Sequence, residues 1–328
     1  MKFTLKIIFS FCAVIFFAGC QILNKSQKEP QIDIIVEEAL NFFEENSMLK
    51  SNIDWKQIRE EIILKFPTME RDSSVRDEII RWVIQEKQLK HHHFVDVEML
   101  KKLDNPQNKN LKYPSGEILA GNIGFLNIPR FPARDSLLSV KYATKSQDFI
   151  RKFYQEGVDK WIIDLRENPG GNMWPMIVGL ESLLGKNKLG SFYKVADSSV
   201  TEWYCTNGEG LTQSKDTTIS YVKIESQDID LSNQKVIVLT GENTASSGEA
   251  VAVAFKGRPN TLLIGGRTAG YSTGNDLFNL SNGAILVITT SVYMDRKGNR
   301  YENGVNPDSL IAEDAQILPT AISLLSKD

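Results

Sequence analysis

A strand that passes into a helix through a turn of small residues constrains this chain more than any other segment. Val236 to Thr240 is apolar and largely β-branched, and Gly241-Glu242-Asn243 breaks it. Thr244-Ala245-Ser246-Ser247-Gly248-Glu249 then opens an apolar run that ends at Phe255. Such a strand and helix have no polar face, so both need cover from neighbouring layers, as in α/β folds. Free backbone N–H groups and the positive end of the helix dipole stabilise negative charge at the turn. A serine nucleophile and the oxyanion it creates need that environment. Ser246 or Thr244 can equally serve as an ordinary helix cap, so the segment alone leaves both readings open.

The rest of the chain repeats the alternation. Ile118 to Ile128 reads as strand, turn and strand, Ser136 to Gly157 as a helix ending at glycine, and Trp161 to Leu165 as a buried strand. Trp174 to Leu184 reads as a helix, and Thr261 to Gly265 and Ala284 to Thr290 as further strands. Lys194 to Asp230 is polar and rich in Thr and Ser, and reads as strands of an insertion or flap. An α/β core domain is therefore expected over 117–328. Residues 31–105 read instead as a small N-terminal helical domain. Ile35, Ala39, Leu40, Phe43 and then Met48 recur at helical spacing, Ile58, Ile62, Ile63 and Phe66 share one face, and Val75, Ile79, Ile80, Trp82, Val83 and Ile84 are apolar. Asn52 or Asp54, and Asp72 or Ser73, are the expected caps, and Pro67 stops the second helix.

The first residues differ in kind. Lys2 and Lys6 lead into an apolar run from Ile7 to Ala18 that closes on Phe17-Ala18-Gly19-Cys20. A basic start, a short apolar stretch and small residues before a cysteine resemble a lipoprotein signal over 1–20, with Cys20 lipidated and 21–30 as a polar tether. The run is shorter than the roughly 20 apolar residues of a spanning helix. Export and lipid anchoring to the bacterial envelope are thus expected. With Cys12 in the signal and Cys20 acylated, Cys205 stands alone and no disulfide or cysteine metal site follows. A net charge of -3 gives no reason to expect nucleic acid as a partner.

Three further segments carry candidate chemistry. Asp164-Leu165-Arg166-Glu167-Asn168-Pro169-Gly170-Gly171-Asn172 ends a buried strand in paired glycines, whose N–H groups can approach a ligand closely. His91-His92-His93 holds all three histidines of the chain, and any of them can act as the base a serine needs. Asp295 to Asp308 is a polar, hairpin-like stretch in which Glu302 is the candidate carboxylate for orienting a histidine. A tight turn, a solvated polar patch and a plain surface loop are the structural readings of the same three segments.

Together these segments resemble the tail-specific (C-terminal processing) serine peptidase superfamily. The likeness covers about Gly121 to Asp308, through Gly121-Asn122-Ile123-Gly124-Phe125, Asp164 to Gly171, Thr244 to Glu249, Gly265-Gly266-Arg267-Thr268-Ala269-Gly270, and Gly304-Val305-Asn306-Pro307-Asp308. It implies a ClpP/crotonase-like core sheet with flanking helices. It also implies Ser246 as nucleophile, and oxyanion donors at Gly170 or Gly171 and at Ser247. Two departures stand out. Tyr271 occupies the position of the family's usual lysine base, and the stretch from His93 to Glu117 is too short for the PDZ domain that many members carry. Both fit the nisin resistance branch, which pairs histidine with serine. Its Lys-His-Ser-Phe-like run, laid over His91-His92-His93-Phe94, selects His92.

The resemblance thus implies an exported serine endopeptidase without cofactor or metal, acting on peptides or unfolded C-terminal tails, lantibiotic-type peptides included. Glu302 is expected to orient His92, with Glu249 as rival or as a structural group. The alternatives are a non-catalytic peptide- or lipid-binding member of the fold, a general tail-processing protease, and an acyl-CoA enzyme of crotonase type. Export argues against the last.

Overall fold

The computed structural model describes residues 32–67, 73–103, 111–133 and 135–327. The expected signal over 1–20, Cys20, the tether over 21–30 and the cap at Asp72 lie outside the described residues.

Asp33 caps α1 (Ile34–Asn46) by accepting from Ile35 N at 2.8 Å, and Asp54 caps α2 (Trp55–Lys65) by accepting from Gln57 N at 3.0 Å. α3 (Ser73–Glu86) follows. Most positions of the apolar stripes are buried, Ile35, Ala39, Leu40 and Phe43, then Ile58 and Ile62, then Ile79, Ile80 and Val83, whereas Met48, Ile63, Phe66, Val75, Trp82 and Ile84 are half-buried. These helices do not close a core among themselves. Their stripes share one cluster with Phe94 and with Leu280, Ala284, Leu286 and Ile288 from a hairpin near the end of the chain. A strand of three residues, β1 (His93–Val95), and a short helix, α4 (Val97–Leu103), complete this layer.

The core then alternates as expected. In order come β2 (Ser115–Leu119), β3 (Ile123–Asn127), α5 (Ser136–Gln155), β4 (Lys160–Asp164), α6 (Met173–Gly179) and α7 (Glu181–Leu184). The polar segment 194–230 supplies β6 (Val200–Thr206), β7 (Glu209–Gln213) and β8 (Thr218–Lys223), after β5 (Gly190–Lys194). β9 (Lys235–Thr240), α8 (Ser247–Phe255), β10 (Thr261–Gly265), β11 (Thr273–Asn279), β12 (Ile285–Asp295), β13 (Arg300–Tyr301), β14 (Ser309–Leu310) and α9 (Asp314–Ser326) finish the chain. The single helix expected over 174–184 is two. Buried Gln147 donates to Val178 O at 3.2 Å, the carbonyl a continuous helix would offer to Ser182, and the chain turns at Leu180.

Six strands form one sheet in the order β14-β10-β9-β4-β3-β2, parallel except for β2 against β3. Its inner strands β4 and β9 are buried on both faces, and the period of two sorts the side chains. Ile162, Ile237, Leu239 and Ile264 face α9, whereas Trp161, Ile163, Val236, Val238 and Leu263 join the cluster of α5, α6 and α8. Every residue of α8 is buried, which makes it the central helix. Beyond this helical layer lies an antiparallel sheet of eight strands along the path β1-β12-β5-β6-β7-β8, with β11 and β13 also paired to β12. The functional turns sit at the carboxyl ends of β4 and β9, and β1 reaches the same region by pairing His93 with Val287 of β12.

Candidate functional site

The turns after β4 and β9 are stitched together. Thr244 Oγ1 donates to Leu165 O at 2.8 Å and accepts from Gly241 N at 3.0 Å, while Ala245 N donates to Asn168 O at 3.0 Å. Asn168 is itself fixed, its Nδ2 donating to Ile128 O at 2.9 Å and its Oδ1 accepting from Gly170 N at 2.9 Å. This brings Gly170 against the serine turn: a Cβ built there would lie 2.8 Å from Ser246 Cβ. Gly170 and Gly171 also have φ of +107° and +124°, where a side chain is strained. Asn168 occupies the N–H of Gly170. Among the described residues, the N–H groups of Gly171 and Ser247 have no hydrogen-bond acceptor. Of the two glycines read as alternatives, Gly171 is the one with a donor to spare.

Ser246 stands immediately before α8 with φ 51° and ψ −115°. A non-glycine residue costs of order 1–3 kcal/mol in such a region and persists only where its surroundings impose it. Glu249 imposes it here. Its carboxylate accepts from Ser246 N (2.8 Å), Gly270 N (3.1 Å), Tyr271 N (2.8 Å) and Thr268 Oγ1 (2.5 Å). Burial pushes its pKa up, against the pull of these donors. Glu249 therefore clamps the serine turn to the 268–271 loop and touches no histidine.

The three histidines divide the work differently from the expectation. His91, not His92, reaches the serine: its Nε2 lies 3.0 Å from Ser246 Oγ and its Nδ1 2.7 Å from Thr273 Oγ1. His92 turns the other way, Nε2 to Ser47 Oγ at 3.0 Å and Nδ1 to Lys90 O at 3.2 Å, with its ring against Phe43. His93 opens β1 and is exposed. His91 closes a turn in left-handed backbone, so its side chain and that of His92 diverge, and a slip of one position exchanges the site for the core. The register is set by left-handed backbone at Gln88 (φ 48°) and His91 (φ 65°). Burial, with His93 and His92 nearby, lowers the pKa of His91 to about 4. Burial likewise takes His92 to about 4.

His92 anchors the turn that presents His91. His92→Ala should therefore destabilise the fold by about 2–3 kcal/mol, through a cavity and an unpaired Ser47 hydroxyl. His92→Gln, which keeps a hydrogen-bonding end, should retain more of both stability and reactivity. Urea unfolding of the two variants checks this, and an unchanged midpoint in His92→Ala would refute the anchoring role.

Glu302 is not at the site. It is exposed in a polar depression with Lys256, Arg267, Arg300 and Asn303, and among the described residues no carboxylate acts on His91. Its neighbour Tyr301 turns to Asp295, donating to Oδ2 at 2.9 Å, so the alternation carries residue 302 outwards. The sequence reading missed two residues. Thr273 meets the far nitrogen of His91, and Tyr293, buried in β12, directs its hydroxyl towards Ser246. Burial and the nearby Glu249 keep the Tyr293 phenol protonated. Nothing in the residue type of Thr273 distinguishes it from Thr268 or Ser272.

Residues 122–311 match the family described as Peptidase family S41. A nisin-resistance protein from Lactococcus lactis subsp. lactis is 35% identical over 221 residues, 66% of this chain and 64% of that protein. The match therefore spans just under two thirds of that relative's length. A solved lipoprotein from Streptococcus agalactiae superposes with a TM-score of 0.71 at 26% identity, over 89% of this chain and 94% of that one. The photosystem II D1 C-terminal processing protease shares the fold, with a TM-score of 0.59 at 16% identity, over 90% and 97% of the two chains. The matched span runs from β3 through β14 and includes both stitched turns and the serine between them. The chain belongs to peptidase family S41, that of the tail-specific (C-terminal processing) peptidases.

Proposed function

We propose that this chain is a serine endopeptidase in which Ser246 is the nucleophile and His91 its general base. The observation that carries the reading is the 3.0 Å approach of His91 Nε2 to Ser246 Oγ at the start of α8. His91 takes the Oγ proton as Oγ attacks a peptide carbonyl. The N–H groups of Gly171 and Ser247 receive the oxyanion, each worth about 3 kcal/mol. The imidazolium then returns its proton to the departing amine, and water hydrolyses the acyl-enzyme by the same route in reverse. Peptides and unfolded C-terminal tails are the proposed substrates. The likeness to a nisin-resistance protein supports lantibiotic-type peptides among them. Anchoring through a lipid on Cys20 at the outer side of a bacterial membrane belongs to the same proposal. The run Phe17-Ala18-Gly19-Cys20 and the likeness to a solved lipoprotein support it.

Labelling of the full-length chain by a serine-directed fluorophosphonate tests the site. Ser246 should be the modified residue. The rate should hold from pH 8 down to about 5 and fall through about 4, because only neutral His91 accepts a proton and its pKa is lowered to about 4. Stability should follow the same sign. Unfolding restores His91 and His92 from about 4 to 6.5, so the unfolded chain binds more protons in that window and stability declines as pH falls through it. A labelling midpoint at or above 6.5 would contradict the lowered pKa of His91, and undiminished labelling of His91→Ala would contradict His91 as the base. A parent chain that is never labelled would instead be a peptide-binding protein with an unreactive serine.

A further inference from the structure

We infer that the Thr273 hydroxyl stands where serine hydrolases commonly place a carboxylate: it accepts from His91 Nδ1 and so keeps the Nε2 lone pair facing Ser246. The inference rests on the proposed pairing of Ser246 with His91. A neutral imidazole has one donor and one acceptor nitrogen, and which is which follows from the partner of the far nitrogen. For Nε2 to accept the serine proton, Nδ1 must carry the hydrogen. The group 2.7 Å from Nδ1 is Thr273 Oγ1. The groups around the ring are His92 and His93 on its own segment, Tyr271 from the loop after β10, Ser246 before α8, and Thr273 at the start of β11. None is a carboxylate. The hydroxyl is the acceptor that the geometry supplies.

Thr273 is held well enough to act in this way. It is 7% exposed, its N–H donates to Tyr271 O at 2.8 Å, and it pairs with Val292 across the ladder. A register shift follows at once, between Gly274 and Asn275, of the kind that re-aims side chains beside active sites. Gly274 cannot be larger, since a Cβ there would lie 2.4 Å from Ser291 Oγ and 2.6 Å from the Phe192 ring. Threonine is β-branched, so its χ1 is restricted and its hydroxyl direction is set largely by the backbone. Glu249 fixes Tyr271 N, and Tyr271 O in turn accepts from Thr273 N, so one carboxylate sets both the nucleophile and the residue behind the base.

The chemical consequence is orientation without charge compensation. In the attack step the Oγ–H bond breaks and Nε2–H forms. Oγ bonds to the carbonyl carbon, and the π electrons move to the oxyanion. The Nδ1 proton stays in place throughout. A carboxylate behind Nδ1 would stabilise the imidazolium and raise its pKa, whereas a hydroxyl does neither. Thr273 is thus a positioning residue acting through His91.

With three histidines in the chain, ¹⁵N-histidine NMR of the full-length protein can read the tautomer of each directly. His91 should carry its proton on Nδ1. Thr273→Val should remove that preference and slow fluorophosphonate labelling by about 10- to 100-fold. Thr273→Ser should restore the tautomer and bring the rate within about 3-fold of the parent, as a retained hydrogen bond requires. Thr273→Asp should keep the tautomer and move the pH midpoint of labelling upwards. The inference is overturned if Thr273→Val keeps both tautomer and rate, or if His91 of the parent carries its proton on Nε2. A parent that shows the Nδ1–H tautomer and yet resists the fluorophosphonate would overturn the peptidase reading and leave the role of Thr273 standing.

Discussion

Alanine at Ser246 or at His91 is expected to lower peptide turnover by about 10⁴- to 10⁶-fold, and the double variant to be no worse than either single one. The two groups act as a unit: without the base the hydroxyl is a poor nucleophile, and without the hydroxyl the base has no proton to take. Both variants should fold, because the strain at Ser246 is imposed by the clamp of Glu249 on its backbone N–H and not by its side chain. Thermal unfolding within a few degrees of the parent, together with lost turnover of a peptide substrate, is the expected pair of results. His92→Gln is the informative control. If His92→Gln abolishes turnover while His91→Ala leaves a tenth or more, the assignment of the base is wrong.

Glu249→Gln should be the most damaging single-atom change outside the reacting pair. Four donors converge on this carboxylate, from Ser246 N, Gly270 N, Tyr271 N and Thr268 Oγ1. An amide offers one acceptor oxygen and places N–H groups where the other oxygen was, so buried donors are left facing donors. A cost of about 2–4 kcal/mol is expected from unpaired buried groups alone. Fluorophosphonate labelling should drop at least about 100-fold, because the serine turn and the loop that leads to Thr273 lose their common tie. The pH midpoint of any residual labelling should stay where it is, since Glu249 does not act on His91. Urea unfolding and labelling with wild-type values would show that the clamp is dispensable. A shifted midpoint would show that Glu249 serves the base after all.

The parts legible in the sequence were those with strong local chemistry. A β-branched strand running into a small-residue turn and an apolar helix leaves few folds, and the Pro-Gly-Gly turn after Asp164 marks backbone brought close to a ligand. Both are where the sequence reading expected them, and so is Ser246 at the start of α8. The histidine register was not legible. Three identical residues carry no pattern, and the turn that chooses among them depends on left-handed backbone at Gln88 and His91, neither a glycine nor an asparagine. Thr273 escaped for a related reason: its function comes from a nitrogen contributed by a residue 182 positions away in the chain. The position of Glu302 was not legible either: Tyr301 turns in to Asp295, and Glu302, just past the end of β13, is exposed. The apolar stripes of the N-terminal helices were read correctly, but no local signal indicates that their cover is the β11–β12 hairpin.

His91 and Ser246 meet across 155 residues of chain, and the layer that carries His91 is held to the rest by its apolar cluster with the β11–β12 hairpin. The three-residue β1 and the His92 contact to Ser47 fasten the turn that presents His91. Closing so long a loop has an entropic cost that only the docked layer repays. Such a docked layer can open as a unit while a core such as that around α8 stays closed. On the proposed pairing, detachment of that layer would leave Ser246 in place but without His91. On that pairing, reactivity is a property of the assembled molecule, lost when the layer lifts and regained each time it docks.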